Sequence, residues 1–306
     1  MPGDCAISVW TCQNPSKGFW PRLADAWRAR RHQSDVNHVT GDVHYLTFML
    51  DRRRTVLTVH DLVLLERHSG IKRRLLWLLW YWLPVRRSCA VVTISEATRA
   101  ALIASTGCDP KKVHVIHNNV SQEFRPAPRV FDAVKPRILQ LGTGLNKNLD
   151  RVAAAVAGIA CRLVVIGPLS DAQRALLRRH GIDHENHVAL SREELVAQYA
   201  EADLLVFAST YEGFGLPIIE AQATGRPVVT SNIPPMPEVA GDAACLVDPL
   251  DVASIRAGIL GVIQDAEYRR RLVEAGHRNV QRFRADAVAE RYAALYRQVA
   301  SARKAA

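Results

Sequence analysis

Short apolar runs alternate with amphipathic segments through the second half of the chain. Residues 137–141, 161–167, 204–207, 227–230 and 245–247 are strand-like, whereas Asp171–Arg179 has the spacing of an amphipathic helix. Another short strand is predicted at His187–Leu190, followed by a capping box of Ser191 and Glu194 that starts a helix. Strands that alternate with helices favour parallel pairing, so this half predicts an α/β domain with a parallel sheet.

The first half shows the same alternation less clearly. Strands are predicted at Ala6–Trp10, Val36–Val39, Thr55–Val59 and Val91–Ile94, and Ser95 is placed to cap the helix that starts at Glu96. Three prolines within residues 124–136 separate the two patterned regions. We therefore assign residues 1–125 to a short first domain, 126–136 to a linker, 137–284 to a second domain and 285–306 to a C-terminal helix.

The segment STYEGFGLPIIEAQATG, residues 209–225, carries the most informative chemistry. A helix is predicted over Pro217–Thr224, with Glu220 in its first turn, and Glu212 lies on the loop before it. Gly213 and Gly215 allow close approach of the backbone to a ligand, and the first amides of the helix favour an anion. The helix start would bind a phosphate, and the two carboxylates would accept hydrogen bonds from hydroxyl groups on either side of it. A ligand with hydroxyl groups on both sides of phosphate is a nucleotide sugar.

A second glycine loop follows the strand at 137–141. The sequence RILQLGTGLNKNLDRV predicts a strand, a loop with Gly142 and Thr143, and a helix that starts near Asn148. The ammonium group of Lys147 is suited to a diphosphate. Ligands bind parallel sheets at the carboxyl ends of their strands, so this loop and the 212–220 turn are expected to converge on one nucleotide sugar, the sugar donor.

Residues 193–249 resemble the donor-binding half of retaining glycosyltransferases of family 4. With VNHVTGDVHYL, TVLTVHDL, VVTISEATRAAL and KKVHVIHNNV in the first half, the resemblance extends over about residues 36–297. It implies the GT-B fold class: two Rossmann-like α/β domains with parallel sheets that face each other across a cleft, and a C-terminal helix that crosses back to the first domain.

The resemblance also implies roles for individual residues. Catalytic roles fall to His60, Glu212 and Lys147, and His60 matches the histidine that faces the donor sugar. Glu220 would hold the ribose hydroxyls. Ala189, Leu190 and Ser191 would lie near the base, and residues 195–199, which include Tyr199, would line its pocket. The donor-binding set is Gly142, Thr143, Lys147, Asn148, Leu190, Ser191, Gly213, Phe214, Gly215, Leu216 and Glu220.

The chain departs from the family pattern at two places. Thr143 and Asn146 stand where the family often has arginines, which leaves Lys147 as the main cation for the diphosphate. The first domain is short, and Gly18 is the sole candidate for the glycine pair often found in its first loop.

Charge is concentrated in the first half, where residues 1–125 carry 18 Lys and Arg against 10 Asp and Glu. Much of it flanks the apolar, tryptophan-rich run in residues 71–88. That segment suits either contact with a membrane surface or an ordinary core helix with charged ends. Basic charge without a recognition motif does not predict nucleic-acid binding.

Six cysteines occur without metal-like spacing, and the N-terminal residues lack the pattern of a secretion signal. We therefore expect a cytoplasmic protein without a structural metal, and contact of residues 71–88 with the inner face of the membrane stays an open alternative. The family resemblance implies that transfer needs no metal and no cofactor. The substrates implied are a nucleoside diphosphate sugar and a saccharide or lipid-linked acceptor.

Other functions fit parts of the pattern. Paired carboxylates also catalyse glycoside hydrolysis, although a hydrolase has no use for a phosphate-binding helix start. A sugar-nucleotide epimerase of the same architecture would need no acceptor. A degenerate partner subunit would bind the nucleotide sugar without transfer, and the presence of His60, Lys147, Glu212 and Glu220 speaks against it.

Overall fold

The computed structural model describes residues 5–304. It divides into two compact units, one that runs to His117 and includes the C-terminal part from Asp286, and one that covers Asn118–Ala285. The segment 126–136, interpreted as a linker, thus lies within the second unit. Residues 1–4 and 305–306, assigned above to the first domain and the C-terminal helix, are outside the described part.

The described part of the first unit contains a parallel sheet in the order β1-β2-β3-β4. Its strands are β1 Asn37–Val39, β2 Thr55–Val59, β3 Ala90–Thr93 and β4 Val113–Val115. Its helices are α1 Phe19–Ala29, α2 Val63–Glu66, α3 Gly70–Leu76, α4 Leu83–Arg86 and α5 Glu96–Thr106, with 3₁₀ turns at His44–Phe48 and Pro110–Lys112. Strands β2 and β3 are buried throughout, as expected for parallel strands covered on both faces.

The strand predicted at Ala6–Trp10 is wrong. These residues form no strand, and Ile7 and Val9 are exposed. Within the described residues β1 pairs only with β2, so the alternating apolar pattern of this segment finds no neighbouring strand to complete a hydrogen-bond ladder. Ser95 caps α5 as predicted, with its hydroxyl accepting a hydrogen bond from the Thr98 amide.

Residues 70–86 form one continuous helical stretch in which a π-helical segment, Trp77–Trp82, joins α3 to α4. Trp80, Tyr81 and Val85 are buried in the core of the first unit, which favours the core interpretation for this part of the segment. Among residues 5–304, no helix combines the length and apolar character that crossing a bilayer requires.

The second unit contains a parallel sheet in the order β10-β9-β8-β5-β6-β7. Its strands are β5 Arg137–Leu141, β6 Arg162–Ile166, β7 His184–His187, β8 Leu204–Phe207, β9 Val228–Ser231 and β10 Cys245–Val247. Its helices are α6 Leu149–Val156, α7 Asp171–Arg179, α8 Arg192–Glu201, α9 Leu216–Thr224, α10 Met236–Ala240, α11 Val252–Gln264 and α12 Ala266–Asn279, with 3₁₀ turns at Leu145–Lys147 and Val280–Phe283.

The last helix, α13, spans Ala285–Lys304 and packs on the sheet of the first unit. Its buried residues Val288, Leu295 and Val299 form one cluster with Val56, Ala90, Val92 and Ile116. The predicted return of the C-terminal helix to the first domain is confirmed, because these helix residues bury their apolar stripe against β2 and β3.

Two local predictions in the second unit need correction. The strand expected at His187–Leu190 lies earlier, at His184–His187. Its residues are polar and are held by hydrogen-bonded pairing with β6, so an apolar pattern does not mark the strand. Helix α9 starts at Leu216, so Glu220 is its fifth residue and is buried, not in the exposed first turn. The capping box of Ser191 and Glu194 on α8 is confirmed.

Candidate functional site

Two loops meet at the carboxyl edge of the sheet in the second unit. One follows β5 and the other follows β8, and these strands are neighbours. Main-chain and side-chain hydrogen bonds join the loops: the Thr210 amide donates to the Asn146 carbonyl at 2.9 Å, and Asn146 Nδ2 donates to the Tyr211 carbonyl at 3.0 Å. The predicted convergence of the two glycine loops is therefore present in the structure.

Lys147 and Glu212 form the central ion pair of this edge. Lys147 Nζ donates to Glu212 Oε1 at 2.6 Å, and both side chains are largely buried. The ammonium also lies 4.9 Å from the centre of the Phe207 ring, at the end of β8. The two loops thus hold a cation and a carboxylate in direct contact.

The loop after β5 depends on two residues with positive φ. Gly142 has φ of 82°, and a Cβ there would lie 2.9 Å from Lys147 Cγ. Asn148 has φ of 59°, and its buried amide group donates to the carbonyls of Ala208 and Pro249 at 2.9 and 2.6 Å. Gly142 thus makes room for the Lys147 side chain, and Asn148 fastens the loop to the strands beside it.

Helix α9 starts beside this ion pair. Gly215, with φ of 111°, precedes its first residue, Leu216, and a glycine has no side chain to cap the first amides. Such a helix start favours an anion. Phe214 is buried edge-on against Phe283, so any contact that it makes with a ligand would use its main chain.

Glu220 is held on the other side of α9 by two residues of α8. Tyr199, itself fully buried, donates its hydroxyl to Glu220 Oε2 at 2.6 Å, and Arg192 Nη1 lies 3.7 Å from Glu220 Oε1. Arg192 in turn donates from Nε to Glu123 at 2.6 Å and covers the ring of Phe124 at 4.6 Å. One carboxylate oxygen is thereby fixed by a buried hydroxyl, and the other lies near a half-exposed guanidinium.

Burial raises the pKa of Glu220, while the hydrogen bond from Tyr199 and the charge of Arg192 lower it in part. Tyr199 itself has a raised pKa, because it is buried and lies beside this carboxylate. The Tyr199 hydroxyl therefore stays protonated and acts as the donor. The pair supplies an acceptor oriented for hydroxyl groups.

The loop before α8 has a strained backbone. Ala189 has φ of 56°, a conformation that a residue with a Cβ adopts at a cost. Leu190 and Ser191 follow, and Ser191 caps α8. Across the edge, the Thr143 hydroxyl donates to the Pro168 carbonyl and the Thr143 carbonyl accepts from Gln173, so Thr143 is tied to the loops around it.

His60 belongs to the first unit and follows β2 directly. Its Nε2 donates to the Thr40 carbonyl at 2.7 Å, and its side chain is exposed. The neighbouring His38 is buried, and its pKa falls to about 4 because of burial and the charge of His60. His38 is therefore neutral at pH 7, bonded to Tyr296 and Thr58, while His60 faces solvent from the sheet edge.

Three residues of the second-unit site were not assigned these roles from sequence. Tyr199 was expected to line the base pocket, Asn146 was considered only as a replaced arginine, and Arg192 was not singled out. Tyr199 lies four residues after Leu195 in an ordinary helical pattern, and that spacing does not indicate a carboxylate partner 21 residues away. Within residues 5–304, no group of three or more His, Cys, Asp or Glu side chains is arranged to hold a metal ion.

Comparisons with known proteins show the family of the chain. Residues 121–279 match the family model described as Glycosyl transferases group 1, and residues 6–124 match the model described as Glycosyltransferase Family 4. The MMP α-(1→4)-mannosyltransferase of Mycolicibacterium hassiacum is 29% identical, with 95% of this chain and 77% of that protein aligned. The O-antigen chain mannosyltransferase B of Escherichia coli is 46% identical over 91 residues, which cover 30% of this chain and 24% of that protein.

Solved structures show the same fold. Sucrose-phosphate synthase from Thermosynechococcus elongatus superimposes with a TM-score of 0.77 at 20% identity, covering 92% of this chain and 78% of that one. HepE of Anabaena, solved in complex with UDP and glucose, has a TM-score of 0.74 at 17% identity, covering 91% and 81%. The chain has the GT-B fold and belongs to the family of group 1 glycosyl transferases.

Proposed function

We propose that the protein is a retaining glycosyltransferase. It moves a hexose or related sugar from a nucleoside diphosphate sugar to a hydroxyl group of a saccharide or lipid-linked acceptor, in the synthesis of surface polysaccharide. The observation that supports the proposal is the Lys147 to Glu212 contact of 2.6 Å at one sheet edge. An ammonium suits a phosphate, and a carboxylate beside it suits the hydroxyls of the attached sugar.

The donor would lie along the carboxyl edge of the second-unit sheet. Lys147 and the first amides of α9 bind the diphosphate, because both present positive charge to it. Glu212 accepts hydrogen bonds from hydroxyls of the donor sugar. Glu220, oriented by Tyr199, accepts from the ribose hydroxyls, and the loop at 189–191 receives the base.

Transfer requires that charge on the departing diphosphate be stabilised. Lys147 and the amides at Gly213 and Gly215 supply that stabilisation in the manner of an oxyanion site. The acceptor hydroxyl attacks from the same face as the leaving phosphate, so the anomeric configuration is retained without a protein nucleophile. No metal is needed in this scheme, and His60 is assigned to the donor sugar by the family resemblance alone.

Mannose is the donor sugar that the relatives favour. The curated relatives from Mycolicibacterium hassiacum and Escherichia coli are named as mannosyltransferases. Mannose carried on a guanosine diphosphate is therefore the first donor to test.

Donor binding and transfer test the proposal together. A panel of nucleoside diphosphate sugars should raise the melting temperature, since a ligand that binds only the folded state stabilises it. Donors that stabilise the protein are then incubated with saccharide and lipid-linked acceptors, and the product anomer is read by NMR. An inverted product, or nucleotide-sugar turnover without transfer to any acceptor, contradicts the proposal.

The substitution Glu212→Ala connects the activity to the site. It should reduce transfer by about a hundredfold or more, as loss of a contact to the reacting sugar does. An exposed glutamate in an ion pair elsewhere, Glu274, gives the matched control through Glu274→Ala. Equal transfer by the Glu212 variant and the wild type, with both folded, would remove Glu212 from the mechanism.

A further inference from the structure

The exposed aromatic side chains of the described residues are concentrated on α1. Phe19, Trp20 and Trp27 are 69, 75 and 49% exposed, and Leu23 beside them is also exposed. At 3.6 residues per turn, these four positions fall within an arc of about 100°. We call them the aromatic face of α1.

The opposite side of α1 accounts for its packing on the protein. Asp25, Ala26 and Ala29 are buried against the rest of the first unit. The Asp25 carboxylate accepts from the amides of Gln13 and Asn14 and from the Asn14 side chain. The aromatic face is therefore not needed to hold the helix in place.

Cations surround the aromatic face. Lys17, Arg28, Arg30 and Arg31 are exposed, and the Arg31 guanidinium lies 3.9 Å from the centre of the Trp27 ring. Asp25 is the sole acid between residues 17 and 31, and it is buried. Arg28 lies 3.6 Å from the buried Asp25 carboxylate. The surface thus combines aromatic side chains with an excess of positive charge.

A second exposed apolar face lies on the helical stretch at 70–86. Ile71, Leu75 and Leu79 are exposed and spaced four residues apart, so they lie one above another. Lys72, Arg73 and Arg74 flank them, and residues 67–79 contain no acid. Arg22 of α1 lies 4.7 Å from the Trp80 ring, so the two helical stretches are neighbours.

The sequence left residues 71–88 open between a membrane contact and a core helix, and the structure packs their tryptophans against other residues of the first unit. Trp80 is buried, and Trp77 donates its indole N–H to the Ser105 carbonyl at 2.8 Å. Trp82 packs against Trp77 and lies under Arg86. The aromatic side chains available to a partner are those of α1.

We propose that the first unit binds an anionic lipid bilayer through the aromatic face of α1, with Ile71, Leu75 and Leu79 as a second contact. Aromatic rings at the interface and cations near lipid headgroups are the features by which a helix lies on a charged membrane. A second copy of the chain is disfavoured, because like faces would bring the same cations together. The inference goes beyond sugar transfer, and it places a lipid-linked acceptor within reach of the protein surface.

Vesicle binding by the full-length chain tests the inference. The wild type should float with vesicles of phosphatidylcholine and phosphatidylglycerol, and not with vesicles of phosphatidylcholine alone. Added salt should weaken the binding, since screening reduces the attraction of lysine and arginine to the headgroups. Tryptophan emission should shift to the blue when Trp20 and Trp27 leave water.

Two double variants test whether the aromatic face of α1 is the surface that binds vesicles. Trp20→Ser with Trp27→Ser should lower the fraction bound at least about tenfold and abolish the emission shift, because both rings are the proposed anchors. Leu246→Ser with Leu250→Ser is the matched control: these side chains are similarly exposed, on the second unit and without the basic surround, and their replacement should leave binding unchanged. Thermal melting and circular dichroism verify that both variants fold.

Two results would overturn the inference. One is vesicle binding that survives the tryptophan pair unchanged. The other is a wild type that does not bind anionic vesicles but sediments as a dimer. If the tryptophan double variant loses that dimer, the face binds a second copy of the chain. Nucleoside diphosphate binding is measured in parallel, and its absence counts against the proposed transfer and not against the membrane contact.

Discussion

At the residue scale, Lys147 and Glu212 bind each other with the same groups that would bind the proposed donor. The ammonium contacts the Glu212 carboxylate at 2.6 Å, and in the proposed complex it would contact the diphosphate in its place. A free nucleoside diphosphate lacks the transferred sugar, whose hydroxyls would give Glu212 new hydrogen-bond donors once Lys147 has moved to the diphosphate. The pair therefore disfavours the product diphosphate more than it disfavours the intact donor.

The substitution Glu212→Gln should separate binding from transfer. It removes the competing charge, so the affinity for free nucleoside diphosphate should rise about fivefold, as expected for a partly buried ion pair worth about 1 kcal/mol. Transfer should fall, because the amide accepts hydroxyl groups less strongly. Titration calorimetry with the diphosphate measures the first effect, with Glu274→Gln as the control. An unchanged or weakened affinity would show that Lys147 does not meet the diphosphate.

Glu220 gives a prediction on pH. Burial raises its pKa and the Tyr199 hydrogen bond opposes that rise, so Tyr199→Phe should raise the pKa further. In the proposed complex, ionised Glu220 is the form that would accept the ribose hydroxyls, and the acidic limb of nucleotide binding should therefore move to higher pH in Tyr199→Phe. Affinity measured across a pH series tests this expectation. In Glu220→Gln the limb should vanish, and a limb that persists there belongs to another group.

The same raised pKa has a defined effect on stability. The folded state holds the Glu220 proton more tightly than the unfolded chain does. The contribution to the free energy of unfolding is therefore fully present below the unfolded-state pKa. It is lost as the pH rises through the folded-state pKa.

The residue types of the site were readable from the sequence, and their partners were not. Lys147 and Glu212 stand out because each lies in a glycine-containing loop that follows a strand. Glu220 stands out because it follows Glu212 by eight positions, on the helix after that loop. Tyr199 could not be assigned to Glu220 in this way, since the contact joins two helices 21 positions apart. Arg192 acquires its place near Glu220 and on Phe124 through packing of the same kind.

At the element scale, the loop after β5 sets the position of Lys147. Gly142 has a positive φ and lies against the Lys147 side chain, whereas Gly158 has a similar φ of 73° and no atom within 4 Å of the position of a Cβ. The two glycines have the same backbone requirement. They differ in what a side chain would displace.

Replacing each glycine by alanine should distinguish strain from displacement. Gly142→Ala and Gly158→Ala should each lower the free energy of unfolding by about 1 kcal/mol, the cost of a left-handed backbone with a Cβ. Only Gly142→Ala should also weaken nucleoside diphosphate binding, because Lys147 must move. Urea unfolding and calorimetry measure the two effects. Equal nucleotide affinity in both variants would mean that Lys147 tolerates the displacement without loss.

Strands and helices with strong local signals were predicted with nearly their observed bounds. Strands β2, β5, β8 and β10 and helix α7 match residue for residue, because apolar runs and capping residues act locally. Strand β7 was misplaced since its polar residues HENH are held by pairing with β6. The strand predicted at residues 6–10 was wrong for the converse reason. Its sequence pattern suits a strand, but no strand among the described residues pairs with it to form a hydrogen-bond ladder.

At the scale of the whole molecule, the C-terminal helix α13 is part of the first unit although it is distant in sequence. Leu295 is 5% exposed and packs on residues of β2 and β3. The sheet of the first unit is short, with four strands in the described residues, and α13 covers an apolar face that would otherwise meet water. Stability of the first unit should therefore depend on this helix.

The substitution Leu295→Ala should destabilise the first unit by about 2–5 kcal/mol, the usual cost of truncating a buried leucine. Gln298→Ala, at an exposed position of the same helix, should have almost no effect. Unfolding is followed by hydrogen exchange, which reports β2 and β3 separately from the strands of the second unit. Equal loss of protection in both units would indicate that they unfold as one.

The sequence alone determined the α/β class, the parallel pairing, the two glycine loops at strand ends and the likeness to group 1 glycosyl transferases. Local periodicity, caps and glycine loops carry that information within a few residues. Only the tertiary structure decided that Tyr199 and Arg192 hold Glu220, that Lys147 pairs with Glu212, and that the exposed tryptophans belong to α1 and not to residues 71–88. These facts depend on which helix face is covered by other elements, and burial of that kind is a property of the folded chain.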